Sequence, residues 1–174
     1  AKMAETTVVF CYGSNGRDQV RRRVGNEAIE SESAELVGYR RIYGGHSRTW
    51  GGAVASVAKV EDDSVRGSIV RLSLAELEIL DRFEGIPKGV HPYSRDGMYR
   101  RERVEVLLEN GKKKESAIVY IMNNADWSSP PTEKYLEACR KNIEPFWPAD
   151  PFTIPVYDSS LAQKFVWSPK KDVA

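Results

Sequence analysis

The stretch Thr6–Asn15, with the sequence TTVVFCYGSN, is the part of the chain that decides the fold. Its first part, Thr6–Tyr12, is a continuous run of apolar and β-branched residues, which predicts a strand buried on both faces. The small residues that follow end this strand, and Arg17–Val24 before Gly25 predicts a short helix. A junction of this kind exposes backbone N–H groups in a concave nest that suits a carboxylate or an oxyanion. A plain turn is the alternative interpretation of the same spacing.

Further strands are predicted from alternating or continuous apolar segments. They are Ala34–Tyr43, Ala53–Val60, Val65–Leu72, Arg101–Leu108 and Glu115–Met122.

Turn signals separate these strands, with a turn predicted at Asp62–Asp63 and a hairpin at Asn110–Gly111. A second helix is predicted from Leu74 to about Glu84, and a third, opened by two prolines, over Thr132–Ile143. The helices do not alternate regularly with the strands. The sequence therefore predicts an α+β domain in which a small closed or nearly closed sheet carries peripheral helices.

The second predicted helix places an acid on its apolar side. Leu74, Leu77, Leu80 and Phe83 form an apolar stripe at helical spacing, and Glu84 falls inside this stripe. Burial and the C-terminal end of the helix dipole both raise the pKa of such a carboxyl, into the range useful for a general acid/base. The alternative is that the helix end frays and turns Glu84 toward water.

Composition excludes several classes of protein. A chain of 174 residues with 41% hydrophobic residues and a net charge of +1 fits one ordinary globular domain and no polyanionic partner. No apolar run is long enough to span a bilayer, and the start has no signal-peptide pattern. The two cysteines predict no disulfide framework, and His46 and His91 lack metal-ligand spacing. We therefore expect a cytoplasmic protein with no metal, no nucleic acid and no membrane as partner.

Several motifs, in order along the chain, resemble the γ-glutamylcyclotransferase family. The similarity runs from about residue 8 to about residue 143, and the ordered set is more specific than YGSN alone. The motifs are Val9–Asn15 (VFCYGSN), Ser47–Gly52 (SRTWGG), Val65–Val70 (VRGSIV), Leu80–Gly85 (LDRFEG), Gly97–Tyr99 (GMY), Val119–Met122 (VYIM) and Ser129–Thr132 (SPPT).

The resemblance implies a small mixed β-barrel with flanking helices. It also implies that a γ-glutamyl group is cyclised to 5-oxoproline with release of an amine, without cofactor or metal. The catalytic acid of the family corresponds to Glu84. The residues implied to bind the substrate are those of the YGSN loop and two pocket tyrosines, namely Tyr12, Gly13, Ser14, Asn15, Tyr99 and Tyr120.

Three departures from the family pattern bear on the leaving group. Gly16 stands where an apolar residue is usual, Val90–Asp96 is an insertion, and Phe146–Pro148 replaces a G-L-P segment. We expect a γ-glutamyl-amino acid as substrate. A γ-glutamylamine, glutathione or a non-catalytic binding module on the same fold are the alternatives. The sequence leaves the oligomeric state open, a homodimer included.

The domain is expected to span residues 6–148, with residues 149–174 as an irregular C-terminal tail packed on it. The aromatic residues expected to pack this end of the chain are Trp147, Phe152, Tyr157, Phe165 and Trp167.

Overall fold

The computed structural model of the chain describes residues 5–124, 129–150, 152, 155–158 and 166–169. In chain order the strands and helices are β1 (Thr7–Cys11), α1 (Arg17–Val24), β2 (Ser31–Ser47), β3 (Gly52–Leu72), α2 (Leu74–Phe83), β4 (Tyr99–Leu108), β5 (Lys113–Met122), α3 (Glu133–Ile143), β6 (Pro155–Asp158) and β7 (Val166–Pro169). The positions of α1, of α3 and of the β4–β5 hairpin confirm the sequence-based predictions.

The sheet closes on itself into a five-stranded barrel. Its strands follow the order β3-β1-β5-β4-β2, and β2 pairs again with β3 to complete the ring. The β1–β5 pair is parallel and the other pairs are antiparallel. This architecture confirms the predicted small mixed barrel with flanking helices.

The apolar run in β1 is continuous because both faces of this strand are covered. Successive side chains of a strand point to opposite faces. Val8, Phe10 and Tyr12 accordingly belong to the larger hydrophobic cluster, which fills the barrel. Val9 and Cys11 belong to a second cluster, which lies between the sheet and helices α1 and α2. The loop after β1 therefore begins where the barrel interior and the helical layer meet.

The predicted turn at Asp62–Asp63 is wrong, because β3 runs through this segment without a break. The pairing with β2 shifts register between Val37 and Tyr39, around Gly38, whose φ is +84°. This bulge bends the hairpin and leaves the acidic residues on an exposed stretch of strand, where Asp63 accepts a hydrogen bond from Arg40 at 2.7 Å. The two acidic residues therefore mark an exposed part of a strand and not a turn of the chain.

Helix α2 begins with the predicted capping box. The Ser73 hydroxyl accepts from the Glu76 N–H, and the Glu76 carboxylate accepts from the Ser73 N–H. The predicted apolar stripe is only partly correct, because Leu74 is 62% exposed and Phe83 is 53% exposed. The buried side of the helix end consists of Leu77, Leu80, Asp81 and Glu84. The buried position of Glu84 is as the pattern predicts, whereas that of Asp81 is not.

The prediction of an irregular tail is wrong for two segments. Strands β6 and β7 form an antiparallel pair, and β7 joins β2 through the register pair Tyr43 and Trp167. Trp147 donates its indole N–H to the Gly67 carbonyl at 2.9 Å, and Phe152 and Trp167 pack against the barrel cluster. The Tyr157 side chain and Phe165 lie outside the described residues. These two strands form because they pair with each other and with β2, and the local sequence pattern does not indicate them.

Candidate active site

A cavity of about 470 Å³ opens where the chain leaves β1. The loop after β1, the turn between β2 and β3 and the C-terminal end of α2 surround it. Every site residue expected from the sequence lines this cavity: Tyr12, Gly13, Ser14, Asn15, Glu84, Tyr99 and Tyr120. Their roles stay predictions, but the barrel brings them together from β1, α2, β4 and β5.

The end of helix α2 directs Glu84 inward. The Gly85 N–H donates to the Arg82 carbonyl at 3.2 Å and the Ile86 N–H donates to the Asp81 carbonyl at 3.0 Å. These two bonds, with Gly85 at φ +71°, form a Schellman motif that ends the helix in a defined geometry. Ile86, only 1% exposed, anchors the motif in the core. The helix end therefore does not fray, and Glu84 is 8% exposed.

The electrostatic surroundings of Glu84 favour a carboxyl that can exchange a proton near neutrality. Burial raises the pKa of Glu84 to about 6, against the opposing effects of the Arg23 charge and of a hydrogen bond from Asn15. The Asn15 amide donates to Glu84 Oε1, and Arg23 Nη1 donates to Asn15 Oδ1 at 2.8 Å. The chain Arg23–Asn15–Glu84 thus links a cation to the buried acid through one amide.

Asp81, one turn before Glu84, attaches helix α2 to the barrel. The Arg101 guanidinium donates to both of its carboxylate oxygens, with the Nε bond at 2.9 Å. The Tyr120 hydroxyl donates to Asp81 Oδ1 at 2.7 Å. Asp81 is 1% exposed, so its charge is compensated inside the protein. This pairing holds the helix end, and with it Glu84, at a fixed distance from β4 and β5.

The carbonyl groups of the loop after β1 are held by side chains from distant elements. Asn142 Nδ2, near the end of α3, donates to the Gly13 carbonyl at 2.9 Å and to the Ser14 carbonyl at 2.8 Å. Arg41 Nε, in β2, donates to the Tyr12 carbonyl at 2.7 Å. Three consecutive carbonyl groups of the loop therefore face side chains of β2 and α3.

Aromatic hydroxyl groups define the wall of the cavity beside Gly13. The Ala55 N–H donates to the Tyr135 hydroxyl at 2.7 Å, and the Tyr99 hydroxyl donates to the Ala55 carbonyl at 2.8 Å. The Tyr12 hydroxyl donates to the Tyr120 carbonyl. Burial raises the pKa of each of these tyrosines, which keeps the hydroxyl groups protonated. These hydroxyl groups carry no charge, and among the described residues Glu84 is the acidic side chain that lines the cavity.

The two cysteines are packing residues. Cys11 is 5% exposed and Cys139 is fully buried, as the sequence predicts. Burial raises the pKa of the Cys11 thiol to about 12 and that of the Cys139 thiol to about 11. A thiol of this kind is not ionised near neutrality and is a poor nucleophile.

Sequence reasoning assigned no role in the site to Arg23, Asp81, Tyr135 or Asn142. Arg23 belongs to the basic run 21–23, which predicts a solvated helix face, yet its guanidinium lies 4.9 Å from the centre of the Phe83 ring. Asp81 precedes Glu84 inside the D-x-x-E-G motif, and Tyr135 lies on the inner face of α3. Asn142 had one signal, the unusual Gly16, against which its amide packs.

In the described part of the chain, no group of three or more His, Cys, Asp or Glu side chains could hold a metal ion. No helix in the same residues is long and apolar enough to cross a membrane.

Comparisons with known proteins agree with this barrel. A curated mouse protein named gamma-glutamylcyclotransferase is 26% identical over 135 residues, covering 75% of this chain and 66% of that protein. The chain thus spans just under two thirds of the length of this relative. A solved structure described as a gamma-glutamyl cyclotransferase has a TM-score of 0.69 at 25% identity, covering 82% of this chain and 80% of the other.

A crystal structure described as a yeast gamma-glutamyl cyclotransferase specific to glutathione has a TM-score of 0.53. It is 12% identical over 85% of this chain and 94% of the other, so it shows the fold alone. The family described as gamma-glutamyl cyclotransferase, AIG2-like, matches residues 9–138, from β1 into α3. This match covers well over half of the sequence and includes the loop after β1 and the buried acid of α2. The chain is a member of the gamma-glutamyl cyclotransferase, AIG2-like family.

Proposed function

We propose that this protein converts a γ-glutamyl-amino acid into 5-oxoproline and a free amino acid, with Glu84 as the general acid/base. One observation carries the proposal: a carboxyl only 8% exposed, with its pKa raised to about 6, lines the same cavity as the loop Gly13–Asn15. A group with this pKa is mostly ionised at neutral pH and can still return the proton it accepts. The family membership supports the same reaction.

The reaction needs little beyond proton transfer and positioning. The α-amine of the γ-glutamyl group, in its neutral form, attacks the γ-carbonyl carbon of the same molecule, so both reactants are already joined. Glu84 accepts a proton from the attacking nitrogen as the new C–N bond forms. The bond from the carbonyl carbon to the departing nitrogen then breaks, and Glu84 returns a proton to that nitrogen. The lactam and the amine leave, and the carboxylate is regenerated.

The loop after β1 supplies the groups that hold the γ-glutamyl moiety. Its N–H groups are suited to the α-carboxylate of the substrate or to the oxyanion that forms at the γ-carbon. The Asn15 amide also donates to Glu84, which fixes the carboxylate relative to this loop. Substrate and base are thereby oriented by the same short segment.

The mouth of the cavity favours a leaving group that carries a carboxylate. Arg48, in the turn between β2 and β3, lines the cavity and is exposed. A guanidinium at this place complements the carboxylate of a departing amino acid, whereas a simple amine offers it nothing to bind. This observation supports a γ-glutamyl-amino acid over a γ-glutamylamine.

The test is a screen of γ-glutamyl compounds for 5-oxoproline, with γ-glutamyl-alanine, γ-glutamyl-ethylamine and glutathione as probes. We expect turnover of γ-glutamyl-alanine and a loss of about 10²-fold or more in Glu84→Gln, the usual scale for a general acid/base. Faster turnover of the ethylamine or of glutathione would change the proposed leaving group. Retention of more than about a tenth of the activity in Glu84→Gln would remove Glu84 from this role.

Stability measurements serve as the control for this variant. Each pKa unit corresponds to about 1.4 kcal/mol, so a pKa raised from 4.5 to about 6 costs the folded state about 2 kcal/mol above pH 6. The folded state holds the proton more tightly, so the wild-type free energy of unfolding decreases as pH rises from 4.5 to 6. Glu84→Gln should lose this dependence and unfold at or above the wild-type Tm at neutral pH.

An N-acetylated γ-glutamyl-alanine separates cyclisation from hydrolysis. Acetylation removes the nucleophilic amine, so a cyclotransferase forms no product from this compound. A hydrolase that uses water would still release N-acetylglutamate, and detection of that product would replace the proposal.

A further inference from the structure

We propose that Asn142 is a positioning residue for the reaction, and that Gly16 is a glycine because the Asn142 amide occupies the space of a Cβ. The inference rests on the proposed function, since it assigns how the substrate-holding loop acquires its orientation. It concerns residues that neither the family motifs nor the predicted site contain.

The contacts of Asn142 are specific to the loop. Its side-chain nitrogen donates to the Gly13 carbonyl at 2.9 Å and to the Ser14 carbonyl at 2.8 Å. One amide group thus holds two consecutive peptide units, and both bonds are within normal hydrogen-bond length.

These two bonds set the direction of the loop N–H groups. In a trans peptide the C=O of one residue and the N–H of the next point in opposite directions. Carbonyls of Gly13 and Ser14 that face Asn142 therefore turn the N–H groups of Ser14 and Asn15 away from it. Gly13, Ser14 and Asn15 line the cavity, and Asn142 does not. Among the described residues, no backbone carbonyl or side chain accepts from the N–H groups of Ser14 and Asn15.

The residue at position 16 is a glycine because of the space around it and not because of its backbone conformation. Its φ is −130° and its ψ is −179°, an extended conformation that any residue adopts. A Cβ at this position would lie 2.4 Å from Asn142 Oδ1 and 2.6 Å from Asn142 Cγ. Gly16 is also the N-cap of α1 and provides no side-chain cap, although Ser, Asn or Asp would stabilise that position better. The small residue therefore leaves room for the Asn142 amide at the expense of a helix cap.

Helix α3, which carries Asn142, is packed against the barrel. Tyr135, Cys139 and Ile143 are each 3% exposed or less and pack this helix against the barrel. Tyr135 also accepts the Ala55 N–H in the wall of the cavity. The same helix therefore holds the wall at one end and the loop at the other.

The test compares Asn142→Asp with Asn142→Ala, and uses Lys141→Ala, an exposed neighbour, as the matched control. Asp keeps the volume of Asn and removes both N–H donors. If Asn142 only filled space, kcat/KM would therefore be unchanged in Asn142→Asp. With γ-glutamyl-alanine as substrate, we expect kcat/KM to fall at least tenfold in both Asn142 variants and to stay within twofold in the control. Asn142→Ala should leave the unliganded Tm within a few degrees of wild type. Wild-type kcat/KM in Asn142→Asp would overturn the proposal.

A double-mutant cycle tests the link to Gly16. Gly16→Ala alone should lower kcat/KM at least tenfold, because its Cβ displaces the Asn142 amide. In the Asn142→Ala background the same change no longer meets the Asn142 amide and should cost less than threefold more. Fully multiplicative effects of the two substitutions would show that Gly16 and Asn142 act separately and would overturn the coupling.

Crystal structures of wild type and Asn142→Asp test the role of Asn142 independently of the proposed reaction. Absence of 5-oxoproline from every γ-glutamyl probe with the wild-type protein would overturn the proposed function. The orientation of the loop would still decide the role of Asn142. We expect at least one of the Gly13 and Ser14 carbonyls to turn in Asn142→Asp, and an unchanged loop would overturn the positioning role.

Discussion

Glu84 is subject to opposing effects that together set its pKa near neutrality. Burial favours the neutral carboxyl, whereas the Arg23 charge and the Asn15 hydrogen bond favour the carboxylate. The nearby Asp81 adds a smaller effect in the same direction as burial. A general base acts in its ionised form, so the balance between these groups decides the pH range of the activity.

The pH profile should report this balance. We expect the rate of 5-oxoproline formation, as kcat/KM, to rise with pH through a limb centred near pH 6, where Glu84 loses its proton. Arg23→Gln removes the cation that favours the carboxylate and should move the limb to higher pH.

Arg22→Gln is the matched control, since Arg22 is exposed and adjacent in sequence. Its limb should coincide with that of the wild type. A limb that stays in place in Arg23→Gln, or that moves to lower pH, would show that the Arg23 charge does not act on the titrating group.

The loop after β1 has little spare space around its glycine. A Cβ on Gly13 would lie 3.1 Å from Ala55 Cβ and 3.3 Å from the Tyr135 hydroxyl oxygen. Both contacts are tighter than ordinary packing, and both belong to the cavity wall. A larger side chain here would push the loop away from α3 and from Ala55.

Gly13→Val should therefore remove most activity toward any γ-glutamyl substrate. Thermal unfolding with and without 5-oxoproline identifies the cause. A site defect leaves the unliganded Tm near wild type and abolishes the rise on ligand addition. A decrease in the unliganded Tm identifies a folding defect instead, and wild-type turnover would place substrate binding elsewhere.

Helix α2 depends on a buried ion pair at its C-terminal end. Asp81→Ala leaves the Arg101 guanidinium without its carboxylate, and breaking such a pair typically costs about 3–5 kcal/mol. We expect a decrease of this size in the free energy of unfolding measured in urea. Glu78→Ala, on the exposed face of the same helix, should change it by less than about 0.5 kcal/mol. A loss below about 1 kcal/mol in Asp81→Ala would mean that solvent already compensates Arg101.

At the scale of the whole molecule, the closed barrel leaves no room for a side chain at Gly67. Strand β3 pairs with β2 at Gly67, and with β1 at the adjacent Ser68. A Cβ on Gly67 would lie 2.3 Å from the Cys11 carbonyl oxygen and 2.9 Å from Phe10 Cζ. The first of these atoms is backbone and cannot move without disturbing β1.

Gly67→Ala should accordingly lower the free energy of unfolding by about 1–3 kcal/mol or more, the usual cost of overpacking. Urea denaturation measures the effect, and Lys59→Ala, at an exposed position of the same strand, provides the reference. Equal stability of the two variants would show that the closed ring tolerates a methyl group at this corner.

Local sequence signals predicted much of the fold and the residue at its centre. The apolar run of β1, the capping box of α2 and the Asn110–Gly111 turn each depend on neighbouring residues, and the structure contains all three. The prediction that Glu84 faces the core needed only its spacing from Leu77 and Leu80. Local signals failed at Asp62–Asp63 and in the tail, where pairing with β2 decides the conformation.

Sequence alone therefore determined strand β1, the turn that ends it and the burial of Glu84, because each follows from dihedral preferences and periodic burial within a short segment. The mixed barrel and the place of Glu84 beside the loop after β1 were implied by the resemblance to a known family and not by local patterns. Only the tertiary structure decided which groups hold them. Asn142 meets the Gly13 carbonyl across 129 positions of the chain, and Asn15 meets Glu84 across 69. Such contacts are set by barrel closure and helix docking, which bring distant residues together, and no local pattern encodes them.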